Sequence, residues 1–124
     1  MPYSCTWESK GVYIHFSGIV TLAQVSGSDD AMYEDPRFAD IDYFIWDASD
    51  VVSLALSDTQ VDITAVRDMG VSLKKDKLKC AFIAKDHRLS RQLEQYLAKS
   101  RALKIPWQMA LFSELGQARL WLSD

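Results

Sequence analysis

Apolar and polar residues alternate strictly at the start of the chain. Tyr3, Cys5 and Trp7 interleave with Ser4, Thr6 and Glu8, and after Lys10-Gly11 the alternation resumes with Val12, Ile14 and Phe16. A period of two marks a strand with one buried face, and Lys-Gly offers a tight turn, so this segment predicts a β-hairpin. Gly18 predicts the end of the second strand. Thr21 is placed to cap a helix over about residues 22–34 that buries Leu22, Val25, Met32 and Tyr33. Asp35-Pro36 stops that helix, because proline disfavours helical geometry in the residue before it.

The period then changes. Tyr43 to Trp46 is a continuous apolar run, as expected of a strand covered on both faces. A segment of acids and serines from Asp47 onward predicts a loop, with Ser57 or Asp58 capping a second helix that reaches about Lys75. In that helix Val61, Ala65, Met69 and Leu73 fall four apart, and Ile63, Val66 and Gly70 widen the stripe. Leu78 to Ala84 is the next strand, and Asp86 caps a third helix striped by Leu89, Leu93, Tyr96 and Leu97. Pro106 lies beyond it. Trp107 to Phe112 makes the last strand, and Ser113 is placed to cap a final helix burying Leu115, Ala118, Trp121 and Leu122. The order β-β-α-β-α-β-α-β-α predicts an α/β fold, a single domain over residues 1–124. Strands alternating with amphipathic helices pair in parallel, so a five-stranded, mostly parallel mixed sheet packed with about four helices follows, with the hairpin adding one antiparallel strand at an edge.

Composition bounds what such a domain does. The chain has 124 residues, 48% apolar and 25% charged, which suits one core. The net charge of −3 conceals an asymmetry: residues 1–66 carry 11 acids and 2 bases, residues 67–104 carry 11 bases and 4 acids, and the remainder contributes −1. The bases lie on helix faces and near helix C-termini, where cations are favoured anyway, and no basic run is interleaved with aromatics, so nucleic-acid binding is not expected. The dipolar distribution favours complementary self-association or an oppositely charged partner, and a homodimer is expected. No apolar run is long enough to cross a bilayer, and MPYSCTWESK does not read as a secretory signal. A soluble cytoplasmic protein is expected, with peripheral membrane contact left open. Cys5 and Cys80 each sit in a strand-like apolar segment and read as reduced thiols. No cofactor or metal is expected, since no ligand spacing, phosphate loop or dinucleotide fingerprint occurs.

Four stretches carry a family resemblance. They are GIVT (Gly18–Thr21), DPRF (Asp35–Phe38), DASDV (Asp47–Val51) and the closing ALFSELGQARLWL (Ala110–Leu122). In that order the chain resembles the SpoIIAA-like proteins, of the broader STAS (anti-sigma-factor antagonist) fold. The resemblance implies a small α/β domain, usually not an enzyme, serving in regulation, partner binding or binding of a small apolar ligand. Related folds include lipid-carrying domains of the CRAL-TRIO type. In regulatory STAS domains a serine in an Asp-Ser-Ser-Gly loop accepts phosphate. Laid on without gaps, that loop falls on Ala55, Leu56, Ser57 and Asp58, so the resemblance puts Ser57 in the phosphoacceptor slot while three of the four positions depart.

The residues themselves offer a plainer account. Ser57 at a helix start is suited to capping, worth roughly 1 kcal/mol. Asp47, Ser49 and Asp50 at a strand end are suited to satisfying free backbone amides. Yet open α/β sheets bind ligands at the carboxyl ends of their strands, which makes Asp47, Ser49, Asp50, Ser57 and Lys85 the candidate ligand or partner loop. Val61, Ile63, Ala65, Val66 and Met69 are candidates to line an apolar pocket or an interface, and the bulky aromatics, Trp46, Phe44, Phe82 and Tyr96 among them, supply more ring surface than a minimal core needs. No catalytic residue is expected: His15 and His87 stand apart from any elbow-like serine motif. The sequence therefore predicts a non-enzymatic interaction domain that binds a partner protein or a small apolar ligand. The alternatives are a carrier of a lipid or other hydrophobic ligand with an internal pocket, and a small hydrolase or transferase at the strand ends.

Overall fold

A computed structural model describes residues 3–123. Met1, Pro2 and Asp124 of the domain expected over residues 1–124 lie outside the described residues. The opening alternation does form a hairpin, β1 (Tyr3–Trp7) and β2 (Gly11–Thr21), paired antiparallel so that Cys5 lies beside Ile14. Its turn demands Gly11: a Cβ there would stand 2.3 Å from the Tyr43 ring on the neighbouring strand. The chain then passes through α1 (Leu22–Glu34), a short 3-10 helix (Pro36–Asp40), β3 (Tyr43–Ala55), α2 (Asp58–Ser72), β4 (Lys79–Ile83), α3 (His87–Ala102), β5 (Gln108–Phe112) and α4 (Leu115–Leu122). The strands lie in one sheet in the order β1-β2-β3-β4-β5, with β2 through β5 parallel. The expected α/β order is thus the observed one, and the antiparallel strand β1 is at an edge.

Three helices share one face of the sheet. Val25 and Met32 of α1, Val61 and Ala65 of α2, and Leu89, Leu93 and Leu97 of α3 pack in one cluster with Ile14, Phe16, Phe44, Trp46 and Phe82 from the strands. Among the described residues the opposite face carries α4, whose Ala118 and Trp121 pack with Ile45, Ala81 and Ile83. Fully burying a residue such as Ile14, Phe16 or Ile45 stabilises the fold by roughly 1.5–3 kcal/mol each.

The caps follow the sequence at three of four helices. Thr21 and Ser57 each accept from the backbone N–H of a glutamine three residues on, and that glutamine's side-chain oxygen accepts from the cap's own N–H. Asp86 accepts from Arg88 and Leu89 N–H. At α4 the N-cap is Glu114 rather than Ser113; the Ser113 hydroxyl instead donates to Gln117 Oε1.

Two expectations fail for identifiable reasons. Asp47, Ser49 and Asp50 do not form a loop, because β3 continues to Ala55, and β2 continues past Gly18 to pair with it. The register shifts twice, between His15 and Ser17 and between Gly18 and Ile19, and each shift inserts one extra residue on β3. Gly18 does not end β2; with φ of +70° it supplies the backbone turn opposite the second bulge. In α2 the four-residue spacing drifts by about 40° per step. Val61 and Ala65 are therefore buried, whereas Leu73, the C-cap, is 82% exposed.

Candidate functional site

The helices on the three-helix face carry acids in phase with their apolar stripes. In α1 the buried positions are Val25, Ser28, Asp29 and Met32; in α2 they are Val61, Thr64, Ala65, Asp68 and Ser72. Asp29 is 7% exposed and Asp68 4%. A buried carboxyl must be hydrogen-bonded or neutralised, and the two acids meet that demand differently. Asp68 accepts from the Tyr33 hydroxyl at 2.7 Å on one oxygen and from the Tyr96 hydroxyl on the other. Asp29 has no hydrogen-bond partner among the described residues, although none of its oxygens is fully sealed from space.

Both acids line one cavity, set between the sheet and helices α1 to α3, of about 40 Å³. That is room for roughly three waters or for a few heavy atoms of a small organic molecule. Phe44, Trp46 and Phe82 form its floor on the sheet; Val25, Val61 and Leu93 come from the helices. Leu54 and Leu56, near and just beyond the end of β3, and Gln92 of α3 extend its lining toward the carboxyl end of the strands, where open α/β sheets bind ligands. Gln92 is fixed by donating to the Leu54 carbonyl at 2.8 Å.

The cavity wall disfavours negative charge. Burial, then the charge of Asp68, pushes the Asp29 carboxyl well above the usual carboxylate range, and the Arg67 guanidinium only partly opposes this. Burial also pushes Asp68 up, to about 6, against the lowering effect of the two tyrosine hydrogen bonds. Burial and the Asp68 charge raise the phenols of Tyr33 and Tyr96, which remain donors. Arg67 is directed outward, giving hydrogen bonds to Ser26 at 2.9 Å and to Asp30 at 2.6 Å.

The residues expected to form a ligand loop are placed elsewhere. Asp47 sits on β3 with 4% exposure, on the α4 side of the sheet, and accepts from the Tyr13 hydroxyl and from Ser49 N–H. Burial would raise its carboxyl, but those hydrogen bonds outweigh burial and hold it below the ordinary value. Asp50 is exposed and lies 2.6 Å from His15 Nε2. Ser57 is the exposed cap of α2, and Lys85 makes an exposed ion pair with Glu114 at 3.7 Å. Each of Asp50, Ser57 and Lys85 is thus engaged with a partner outside the group of five, while Asp47 and Ser49 are joined by a hydrogen bond. Of the apolar candidates, Val61 lines the cavity, Ala65 and Met69 pack in the core, and Ile63 and Val66 face outward.

Asp29, Asp68, Tyr33 and Gln92 were not predicted as a site. The signal that could have found the acids is their helical phase, since Asp29 is four residues from Val25 and three from Met32. Among the described residues no group of three histidines, cysteines or acids is placed to hold a metal, and no helix is long and apolar enough to cross a membrane.

No protein-family profile matches the sequence, and no curated protein matches it. In structure the chain is similar to an uncharacterised protein of the DUF3478 family with a SpoIIAA-like fold from Shewanella loihica PV-4. The match covers 97% of this chain and 91% of that one at 16% identity, with a TM-score of 0.51. The chain has a SpoIIAA-like fold, as its sequence motifs suggested; the likeness extends to the fold alone.

Proposed function

We propose that this chain is a non-enzymatic binding domain that takes a small, largely apolar ligand into the cavity between the sheet and helices α1 to α3. One observation carries this reading: the aromatic and aliphatic side chains of Phe44, Trp46, Phe82, Val61 and Leu93 leave a space of about 40 Å³ between the sheet and the helices, beside the polar groups of Asp29, Asp68 and Gln92. Ligand sites are concave, mostly apolar and furnished with a few oriented polar groups. The lining by Leu54, Leu56 and Gln92 at the carboxyl end of the strands supports the same reading. Native mass spectrometry of gently purified protein tests it. A bound small molecule that is lost when Val61→Trp fills the cavity supports it; a wild-type mass always equal to that of the bare chain counts against it.

A second reading, contact between two copies of the chain, is favoured by the outer side of α2. Ile63 and Val66 are each 47% exposed and Leu73 is 82% exposed on a helix whose other side is already buried. Exposed apolar surface of this kind marks interfaces. Sedimentation of wild type against Ile63→Glu/Val66→Glu separates the two readings, since the double variant leaves the cavity untouched.

A further inference from the structure

We infer that the acidic wall of this cavity is a binding site for an organic cation, a small ammonium carried on a short apolar chain. The inference rests on the ligand-binding reading above and names the chemistry of its ligand.

The wall combines three observations. Asp29 is more than nine-tenths buried, lines the cavity, and receives no hydrogen bond among the described residues. Folding therefore leaves a largely buried carboxyl that no protein donor satisfies and whose oxygens stay accessible to whatever occupies the cavity. Asp68 lies in the same wall and raises the cost of ionising Asp29 by its own charge. The protein's compensation is incomplete: Asp29, Asp68 and Asp30 are three carboxyls around a single guanidinium, Arg67, which turns toward Asp30 and Ser26 rather than into the cavity.

An ammonium group supplies what is missing. It carries up to three donors and one positive charge. One donor satisfies Asp29, and another reaches a free lone pair of Asp68, whose oxygens each accept a single tyrosine hydrogen bond. Both acids can then ionise around a counter-charge they lack in the empty protein. A neutral alcohol supplies one donor and no charge. A carboxylate adds a negative charge to a wall that already disfavours it. A bare divalent metal would need several more oxygens than two carboxyls provide. The rest of the cavity is hydrocarbon, from Phe44, Trp46, Val61, Phe82 and Leu93, and so accepts an alkyl chain rather than hydrated ions.

The test compares three probes of nearly equal shape, n-butylammonium, butan-1-ol and butanoate, by calorimetric titration at pH 7.5 on the wild-type protein and on Asp29→Asn. The expected order on wild type is n-butylammonium tighter than butan-1-ol by at least about tenfold, as suits charge-assisted hydrogen bonds in a largely apolar site, and butanoate weakest. Asp29→Asn is expected to remove most of the preference for the ammonium while leaving butan-1-ol affinity within about threefold. Butan-1-ol binding as tightly as the ammonium overturns the cation inference and leaves the apolar-ligand reading standing. Binding of none of the three overturns both. The wild-type comparison decides the matter even if the variant folds poorly, and circular dichroism and melting of Asp29→Asn report its folding independently.

Discussion

Asp29 and Asp68 line the same internal cavity, and only Asp68 is given hydrogen bonds. The fold thus keeps one carboxyl of the pair in a state that costs stability, which gives the wall a measurable signature.

Replacing Asp29 with Asn removes a carboxyl whose ionisation burial and Asp68 both oppose, so the variant is expected to be more stable than wild type at neutral pH. The expected gain at pH 7.5 is at least about 3 °C in Tm, corresponding to about 1 kcal/mol for a domain of this size. A group whose folded pKa is raised contributes stability that is present below its unfolded pKa and is lost as pH rises through the folded value. Asp29 and Asp68 are both raised, Asp68 from 3.8 to about 6. The advantage of Asp29→Asn is therefore expected to shrink as pH falls and to vanish near pH 3.8. Thermal melts across that range check it; a Tm difference independent of pH would contradict it.

Tyr96→Phe removes a buried donor to Asp68 and leaves Tyr33 as its remaining tyrosine partner. The expected loss is about 1–3 kcal/mol at pH 7.5, since the acceptor stays buried. The loss is expected to be smaller at pH 4, where Asp68 is protonated in the folded protein. Urea denaturation at the two pH values measures both.

Glu8 and Arg119 tie the end of β1 to α4 through two hydrogen bonds of 2.7 Å each, and Tyr43 donates to the same carboxylate. The Arg119 hydrogen bonds hold the Glu8 carboxyl below its ordinary value of 4.5 although burial opposes them. A lowered acid contributes stability above its unfolded pKa and loses it as pH falls through the folded one. Glu8→Gln is thus expected to cost about 1 kcal/mol at pH 7, after allowance for the partial exposure of both side chains, and progressively less below pH 4.5. Denaturant melts of the single variants and of Glu8→Gln/Arg119→Met separate the pair's coupling from the cost of each change alone.

Gly11→Ala places a methyl group inside the Tyr43 ring, whose hydroxyl is itself anchored to Glu8. A destabilisation of about 1–3 kcal/mol is expected, as for other overpacked sites. Gly11→Ala/Tyr43→Leu should recover part of it, which urea titration of both variants can establish.

The order of elements was legible because the hairpin shows a period of two, β3 opens on an unbroken apolar run, and three of the four helices begin at the expected cap. Thr21, Ser57 and Asp86 cap as their residue types require. The length of β2 and β3 was not legible, because two bulges break the period of two across Asp47 to Ala55 and leave acids and serines in a strand that reads as a loop. The candidate site was harder still. Asp29 stands beside Ser26, Gly27, Ser28 and Asp30, a segment polar enough to look solvated, and Asp68 follows Arg67. Composition hides both acids. Only their phase, together with the positions of the neighbouring helices, places them inside. The drift of the four-residue spacing in α2 likewise sends Leu73 outward and brings Asp68, seven residues after Val61, to the buried side.

The most direct measurement is a two-dimensional amide NMR titration of the isotopically labelled protein with butan-1-ol, chosen because it requires the cavity and not the acids. Saturable shifts are expected at Val25, Phe44, Val61, Phe82 and Leu93, and Val61→Trp should abolish them. Shifts that fail to saturate, or that gather at Ile63, Val66 and Leu73 instead and survive Val61→Trp, would contradict an internal ligand site.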